Sequence, residues 1–239
     1  MKTTRAQPRD CALVPAYNEE KTISEIVRKI KKVDILPIVI DDNSNDRTSE
    51  LAKKSGALVL KQSTNKGKGE AIKTGINYVF EKLPTVKNFI LIDADMQYDP
   101  EDAASLLKPL KNKNADFVMG YRDWSAVPFR HKLGNFVWRF SFNLLFGTNL
   151  KDTNCGFVSM NKRAAMVLKD ALYGGYIIEN AMLAEAVQKN LRIKQVFIKV
   201  VYKKKSEVGR GIRMVTGILL FIIKTGLKYR FYRIFGKVK

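Results

Sequence analysis

Cysteine and histidine are scarce in this chain of 239 residues, which contains two cysteines, Cys11 and Cys155, and one histidine, His131. Two thiols without CxxC spacing exclude a disulfide framework. Thiols and imidazoles are also too few for a Cys/His zinc cluster. We therefore expect two buried, reduced cysteines, as is usual for a cytosolic protein.

Long hydrophobic runs are absent as well. The longest, Met214 to Ile223, is stopped by Lys224 and is shorter than the about 18 apolar residues that a membrane-spanning helix needs. The N-terminal segment MKTTRAQPRD carries charge but lacks the apolar core of a signal peptide. The sequence thus predicts a chain that does not cross a membrane through its own helices.

Acidic residues are rare towards the end of the sequence. The whole chain has 43 Lys and Arg against 23 Asp and Glu, a net charge of +20. Residues 151–239 contain 19 of the basic residues but only 5 of the acidic ones. Such an excess predicts an anionic partner: nucleic acid, an anionic membrane surface or a phosphate-bearing substrate.

Apolar runs alternate with amphipathic helical segments up to about residue 120. The runs Cys11–Val14, Ile35–Ile40, Ala57–Leu60 and Phe89–Ile92 predict four strands. Strands that alternate with helices indicate an α/β fold, with a mostly parallel, doubly wound sheet covered on both faces. In such sheets, ligands bind beyond the carboxyl ends of the strands.

Two common phosphate-binding glycine motifs are missing. The turn after the first predicted strand reads PAYNEE and not GxGxxG, which excludes a Rossmann dinucleotide site. The GKG of Gly67–Gly69 lacks the spacing of a Walker A loop.

Two carboxylates, Asp93 and Asp95, follow a very apolar predicted strand. A carboxylate beside such a strand is costly unless it is paired or binds a metal. Together with Gln97 the two acids form an all-oxygen set that suits Mg²⁺ or Mn²⁺. The alternative is a strand-end loop whose acids cap the next helix, a role that Asp99 before Pro100 favours. For Asp93 and Asp95 these residues alone leave both readings open.

Six segments occur in the order and spacing of a known family: VPAYNEE (14–20), VIDDNSNDRT (39–48), NKGKGEAIKTG (65–75), LIDADMQYDPE (91–101), GYR (120–122) and DTNCGF (152–157). On these motifs the chain resembles the inverting family-2 glycosyltransferases of GT-A fold, and among them the polyprenyl-phosphate glycosyltransferases. DADMQ resembles the dolichyl-phosphate mannose synthases, whereas DTNCGF is more similar to the glucose synthases. The donor sugar therefore stays open.

The resemblance implies a reaction and its partners. A hexose, mannose or glucose, would pass with inversion from a GDP- or UDP-sugar to dolichyl or polyprenyl phosphate, with Mg²⁺ or Mn²⁺ as cofactor. The GT-A catalytic domain would span residues 1–210. The enzyme would lie on the cytoplasmic face of a membrane and would not bind nucleic acid, since no nucleic-acid motif is present.

The resemblance also implies roles for single residues in donor binding. Pro15, Tyr17 and Glu19 would line the nucleotide base and ribose, while Ile40 and Asp42 would contact the base edge. For Tyr17 the alternative is core packing, and for Asp42 it is a helix N-cap.

Nearer the reacting centre, the implied roles concern sugar, metal and phosphate. The ribose or sugar would be held by Asp93 and Ala94, and the metal on the diphosphate by Asp95 and Gln97. The expected phosphate contacts are Lys68 for the donor, and Arg122 and Arg130 for the acceptor. For Arg122 the alternative is a surface ion pair, and for Lys68 a solvated loop charge.

The sequence departs from the family in two places. KKKSEVGRG (203–211) has Glu207 where a phosphate-binding lysine is expected, so Lys203–Lys205 or Arg210 would have to substitute. At Glu179-Asn180, an asparagine stands where hydroxyl-acceptor members carry their base. A phosphate acceptor is largely ionised at pH 7 and needs no base, so we predict a lipid phosphate. Glu179 as base of a hydroxyl acceptor remains the alternative.

Two segments suit a membrane surface. Lys132–Gly147 is rich in aromatic residues, and 211–239 predicts a basic amphipathic helix. In the second segment one apolar face comprises Ile212, Val215, Leu219, Ile222 and Ile223. The alternative is that both helices pack on the sheet as core.

Overall fold

The computed structural model describes residues 8–123, 129–173, 175–200 and 208–236, and the side chains of 129–131, 176 and 208–214 lie outside this description. The helices and strands in chain order are β1 (Asp10–Ala16), α1 (Ile23–Lys32), β2 (Leu36–Asp41), α2 (Thr48–Lys54), β3 (Leu58–Lys61), α3 (Lys68–Lys82), β4 (Asn88–Leu91), α4 (Ala103–Lys111), β5 (Phe117–Arg122), α5 (Phe129–Phe146), β6 (Val158–Asn161), α6 (Lys162–Leu168), α7 (Ile178–Gln188), β7 (Ile193–Ile198) and α8 (Val208–Phe235).

The described strands form one sheet in the order β3-β2-β1-β4-β6-β5-β7. β1 pairs in parallel with β2 and β4, β2 with β3, and β5 with β7. Only β6, among these strands, runs antiparallel to its neighbours. The expected mostly parallel sheet is confirmed, and each predicted apolar run overlaps one of β1 to β4.

The core lies on both faces of the central strands. α1 covers one face with Ile23, Ile26, Val27 and Ile30, which are buried and recur every three or four residues. Both cysteines are buried and free, as predicted. Because the body of the sheet is apolar, the polar side chains collect where the strands end.

Helices α5 and α8 pack side by side and run in the same direction. Trp138 donates its indole N–H to the carbonyl of Val215 (3.1 Å), and further along both helices Arg230 donates to the carbonyl of Leu145 (3.0 Å). A Cβ atom at Gly226 would lie 2.6 Å from the Cβ atom of Leu145. Glycine at this position therefore allows the close approach of the two helices.

Each helix of this pair also exposes large apolar side chains spaced three or four residues apart. We call them the α5 row and the α8 row: Leu133, Phe136, Phe140 and Leu144 on α5, and Leu220, Ile223, Leu227, Phe231 and Ile234 on α8. Successive helical residues are about 100° apart, at 3.6 residues per turn. Counted in these steps from the residues that make the contact between the helices, the α5 row lies in one rotational direction from the contact and the α8 row in the other. Because the two helices run in the same direction, both rows face the same side of the pair. No described helix is long and apolar enough to span a membrane.

The structure corrects the expectation of which face of α8 is exposed, because the predicted apolar face is largely covered by protein. The face expected to lie on a membrane included Val215, Leu219 and Ile222, yet Ile222 is fully buried and the other two pack partly buried against the core. Ile223 is exposed and belongs to the α8 row, while the side chain of Ile212 lies outside the description. The sequence pattern showed one apolar face, whereas the helix has two, and the first of them is used for packing.

Candidate functional site

Two loops at the carboxyl edge of the sheet hold each other in place. In the loop after β1, the main-chain N–H groups of Asn18 and Glu19 donate to the hydroxyls of Ser44 (2.9 Å) and Thr48 (2.8 Å). The side chain of Asn18 accepts the N–H of Asn45 at 3.0 Å. These bonds join the loops after β1 and β2 into one polar wall.

The residues expected around the base lie on this wall or beneath it. Tyr17 is 45% exposed, so it is not core packing and its ring is available for stacking on a base. Pro15 is partly buried and lies opposite Ile40 in the β1–β2 register. The side chain of Ile40 is fully buried and points towards α3, so only its main chain remains for the expected base contact. The carboxylate of Glu19 accepts the hydroxyl of Thr22 at 3.0 Å.

The carboxylate of Asp42 anchors the loop that precedes α3. Its two oxygens accept the main-chain N–H groups of Lys66 (2.8 Å) and Gly67 (2.7 Å), and its side chain is buried. It does not cap α2, which begins further along the chain. In the same loop Gln62 donates its main-chain N–H to the carbonyl of Asp41 (2.9 Å). Both amide atoms of the Gln62 side chain are buried without a partner among the described residues, a feature that no sequence motif predicts.

The ammonium group of Lys68 lies between two carboxylates. It is 2.6 Å from Oδ1 of Asp93 and 3.1 Å from Oε1 of Glu179. Burial alone would lower the pKa of Lys68, but Glu179 and Asp93 together raise it above its usual value. A Cβ atom at Gly156 would lie 2.7 Å from Oδ2 of Asp93. These four residues, which we call the Lys68 cluster, come from four separate segments of the chain.

Asp95 and Gln97, expected to bind a divalent cation, follow in the same loop. The carboxylate of Asp95 accepts the main-chain N–H of Gln97 at 3.0 Å, and Ala94 before it is buried. In the described part of the chain, no three His, Cys, Asp or Glu side chains converge as a ready metal cage. Mg²⁺ often binds one or two carboxylates and completes its shell with substrate phosphates and water. The donor atoms of Asp95 and Gln97 fit a cation bound in that way.

Asp99 has the capping role that its sequence context favoured. Its carboxylate accepts the N–H of Glu101 (3.1 Å) at the start of the 3₁₀ helix Pro100–Asp102. It also lies 3.2 Å from the ammonium group of Lys29 on α1. Asp99 is therefore a structural acid close in sequence to Asp95.

Arg122 forms a largely buried ion pair and not the surface pair that was the alternative reading. Its Nε and Nη2 donate to the two carboxylate oxygens of Asp152 at 2.7 and 2.9 Å, and Nη2 also donates to Asn135 of α5 at 3.1 Å. Burial alone would lower the pKa of Arg122, but Asp152 raises it above its usual value. The other expected phosphate contacts, Arg130 and Lys203–Lys205, have side chains outside the described residues.

Glu179 and Asn180 are neighbours in α7 but have different surroundings. Glu179 reaches Lys68 at the site, whereas Asn180 is fully buried. The amide of Asn180 donates to Oδ1 of Asn154 (2.6 Å), whose own main-chain N–H donates to Asp152 (3.0 Å). The expectation that Asn180 fills the position of a base needs correction, because its side chain points into the protein.

Comparison with known proteins identifies relatives that match most of the chain. The model of the family described as Glycosyl transferase family 2 matches residues 11–168. An uncharacterised protein of Methanocaldococcus jannaschii is 33% identical over 86% of this chain and 86% of that protein. The UDP-N-acetylglucosamine–dolichyl-phosphate N-acetylglucosaminyltransferase of Methanococcus voltae is 29% identical over 87% of this chain and 92% of that protein.

A solved structure shows the fold. Glucosyl-3-phosphoglycerate synthase from Mycobacterium tuberculosis, in complex with Mn²⁺, UDP and phosphoglyceric acid, aligns with a TM-score of 0.74 at 20% identity. The alignment covers 92% of this chain and 78% of that chain. The likeness confirms the expected GT-A fold.

Proposed function

Since this chain belongs to glycosyl transferase family 2, we propose that it transfers a sugar from a nucleoside diphosphate sugar to a polyprenyl phosphate, with inversion. The relative from Methanococcus voltae is named for dolichyl phosphate as its acceptor, and the motifs quoted above resemble dolichyl-phosphate mannose and glucose synthases. The sugar that we propose is a hexose, mannose or glucose, and the same relative adds N-acetylglucosamine to the donors to be tested.

The observation that carries the proposal is that three described carboxylates at the site, Asp93, Asp152 and Glu179, are engaged in ion pairs. Asp93 and Glu179 share Lys68, and Asp152 binds Arg122 through both oxygens. A hydroxyl acceptor needs a base that can take up its proton within hydrogen-bond reach. A phosphate monoester has a second pKa of about 6 and is mostly ionised at pH 7, so it attacks without a base.

The charges at the site support a divalent cofactor. Among the described residues, those of the Lys68 cluster, the Arg122–Asp152 pair and Asp95 comprise four carboxylates and two cations: Asp93, Asp95, Asp152 and Glu179, with Lys68 and Arg122. This negative excess would repel a diphosphate unless a cation compensates for it. We propose that Asp95, with Gln97 beside it, would hold Mg²⁺ or Mn²⁺, and that such a cation would neutralise charge on the leaving diphosphate. The synthase of the same fold was crystallised with Mn²⁺ and UDP.

In the proposed reaction, an oxygen of the acceptor phosphate attacks the anomeric carbon on the face opposite the leaving group. A new carbon–oxygen bond to the acceptor forms, and the bond to the diphosphate breaks with its electron pair leaving on the nucleoside diphosphate. Tyr17 would stack on the base, and Asp93 would accept hydrogen bonds from ribose or sugar hydroxyls. Arg122 and Arg130 would position the acceptor phosphate.

We further propose that the α5 row and the α8 row rest on an anionic membrane surface, on its cytoplasmic face. The exposed residues Lys224 and Lys228 flank the α8 row, and Arg139 lies over the ring of Phe136 at 5.7 Å. Basic amphipathic helices lie in the membrane interface, and each basic residue near anionic lipid contributes about 1 kcal/mol. Because α8 begins at Val208 and buries one face in the protein, this surface would belong to the catalytic unit and not to a separate segment 211–239.

A transfer assay tests the proposed function. The protein is incubated with liposomes containing polyprenyl phosphate, with Mg²⁺ or Mn²⁺, and with labelled GDP-mannose, UDP-glucose or UDP-N-acetylglucosamine in separate reactions. We expect one donor to give label in the organic phase, and a chelator to abolish it. Absence of lipid-linked label with all of these donors would contradict the proposal.

A further inference from the structure

Glu179 lies at the site but has no role in the scheme above. Its side chain is only 12% exposed, and it projects from the first turn of α7 towards the first residue of α3. There it contacts the ammonium group of Lys68, which also contacts Asp93. A lysine side chain has a flexible four-carbon stem, and holding it in one place costs rotamer entropy. A second carboxylate offsets that cost by keeping the ammonium group in position.

The geometry around Gly156 shows why the three charges must be held together. A Cβ atom at Gly156 would lie 2.7 Å from Oδ2 of Asp93, 3.4 Å from Nζ of Lys68 and 3.5 Å from Oε1 of Glu179. The two carboxylates therefore lie against the same stretch of main chain and would repel each other without the lysine between them. We therefore expect the removal of one charged group to change the positions of the other two.

A proton transferred to Glu179 would weaken its ion pair with Lys68 and leave that ammonium group with one carboxylate. Proton uptake by Glu179 would therefore sacrifice the contact that holds Lys68, which favours a role of Glu179 as an anchor. Asp93 has one oxygen on Lys68 and the other beside Gly156, so its orientation depends on where Lys68 is held.

We propose that Glu179 is a positioning residue, which fixes Lys68 and through it the Asp93 carboxylate that binds the donor, and which exchanges no proton during the reaction. The inference rests on the proposed function. It goes further by naming the residue that orders the donor site.

The test compares two substitutions at the same position. Glu179→Gln keeps an oxygen that can accept the Lys68 hydrogen bond but cannot act as a base, whereas Glu179→Ala removes the oxygen altogether. We expect kcat/KM for the donor to fall about 10- to 100-fold in Glu179→Ala, the range of a hydrogen bond to a charged group. In Glu179→Gln we expect less than about a tenfold loss and an unchanged pH profile. A general base would lose about 10²–10⁴-fold in both variants, and that result would overturn the proposal.

A double variant separates positioning from simple loss of structure. In a Lys68→Met background, Glu179→Ala should lower affinity for the nucleotide sugar less than about twofold further, because its effect is transmitted by Lys68. Independent, additive losses would also overturn the proposal. Glu185→Gln, on the same helix and paired at the surface with Lys189 (3.7 Å), is the matched control and should behave as the wild type.

Nucleotide-sugar titration distinguishes a failure of the positioning role of Glu179 from a failure of the proposed function. Affinity is measured without any acceptor, so the coupling between Lys68 and Glu179 can be tested even if the wild type fails to use polyprenyl phosphate. Thermal unfolding of each variant identifies a loss of affinity that comes from loss of the fold. In that case Glu179→Gln, which keeps the same shape, decides the question.

Discussion

The carboxyl edge of the sheet and the α5–α8 pair differ in how their side chains are satisfied. At the edge, charged groups meet partners within the protein, as Lys68 meets Asp93 and Glu179. On the pair, large apolar side chains remain in contact with water, and Phe140 and Phe231 are 58% and 59% exposed. Burying such a side chain is worth about 1.5–3 kcal/mol. The edge thus suits the polar, phosphate-bearing donor that we propose, and the exposed apolar rows of the pair suit the membrane surface that we propose.

Arg122 joins the two regions, and its removal should have the largest effect on stability. It binds Asp152 near the sheet and Asn135 on α5. Arg122→Met would leave the buried Asp152 carboxylate unpaired, so the free energy of unfolding should fall by about 3–5 kcal/mol. Lys32→Met, which breaks the exposed pair with Glu101, should leave the free energy of unfolding nearly unchanged, because exposed ion pairs contribute little. If denaturant unfolding shows the same loss of stability for Arg122→Met and Lys32→Met, Arg122 does not link the two regions.

Asp95→Ala tests the sheet edge alone. Loss of a group that stabilises developing charge typically costs about 10²–10³ in turnover, and we expect a loss of that size with the melting temperature unchanged. Asp99→Ala, in the same loop, removes a cap and should leave turnover within about threefold, since Asp99 has a structural role. Chelator-resistant transfer, or equal losses in the two variants, would speak against a metal at Asp95.

Substitutions in the α8 row test the other region. Replacing Leu227 and Phe231 together by serine should lower binding to anionic liposomes at least about tenfold. Each apolar side chain that becomes buried in the membrane would contribute about 1.5–3 kcal/mol. Nucleotide affinity should stay within about twofold. Ile222→Ser, on the buried face of the same helix, should instead destabilise the fold. Undiminished flotation of the double variant in a density gradient would show that the α8 row does not contact the membrane.

Gln62 allows a finer test of the sheet edge. Its buried amide has no partner among the described residues, and an unpaired buried polar group costs about 1–3 kcal/mol. Gln62→Met keeps the shape and should raise the free energy of unfolding by about 1 kcal/mol. If chemical denaturation instead gives a lower free energy of unfolding for Gln62→Met, the amide is satisfied in solution, for example by an ordered water molecule.

The two regions also differ in how far the sequence predicted them. The central strands follow from their apolar runs, and the position of Asp93 and Asp95 follows from the rule that parallel strands place ligands at their carboxyl ends. The contact between Lys68 and Glu179 joins residues 111 positions apart. Asp152 was within a quoted motif, but its pairing with Arg122 depends on the order of strands around β6, which periodicity does not reveal.

For α8, the sequence pattern predicted a helix but not which of its faces is exposed. Both faces of the helix carry apolar residues, so the choice between protein and solvent depends on the contact with α5. Gly226 and Arg230 make that contact, and neither has a hydrophobic signal. A surface ion pair was likewise a possible role for Arg122 from the sequence. Its burial depends on Asp152 and Asn135, which come from other segments of the chain.

The most direct test of the proposed function compares two acceptors that differ only in the phosphate. Polyprenyl phosphate and the polyprenol of the same chain length are presented in identical liposomes, with the donor that gives product and with Mg²⁺. We expect sugar transfer to the polyprenyl phosphate and none to the polyprenol, because the proposed reaction needs an ionised acceptor. Efficient transfer to the polyprenol would mean that the protein provides a base, and would contradict the account.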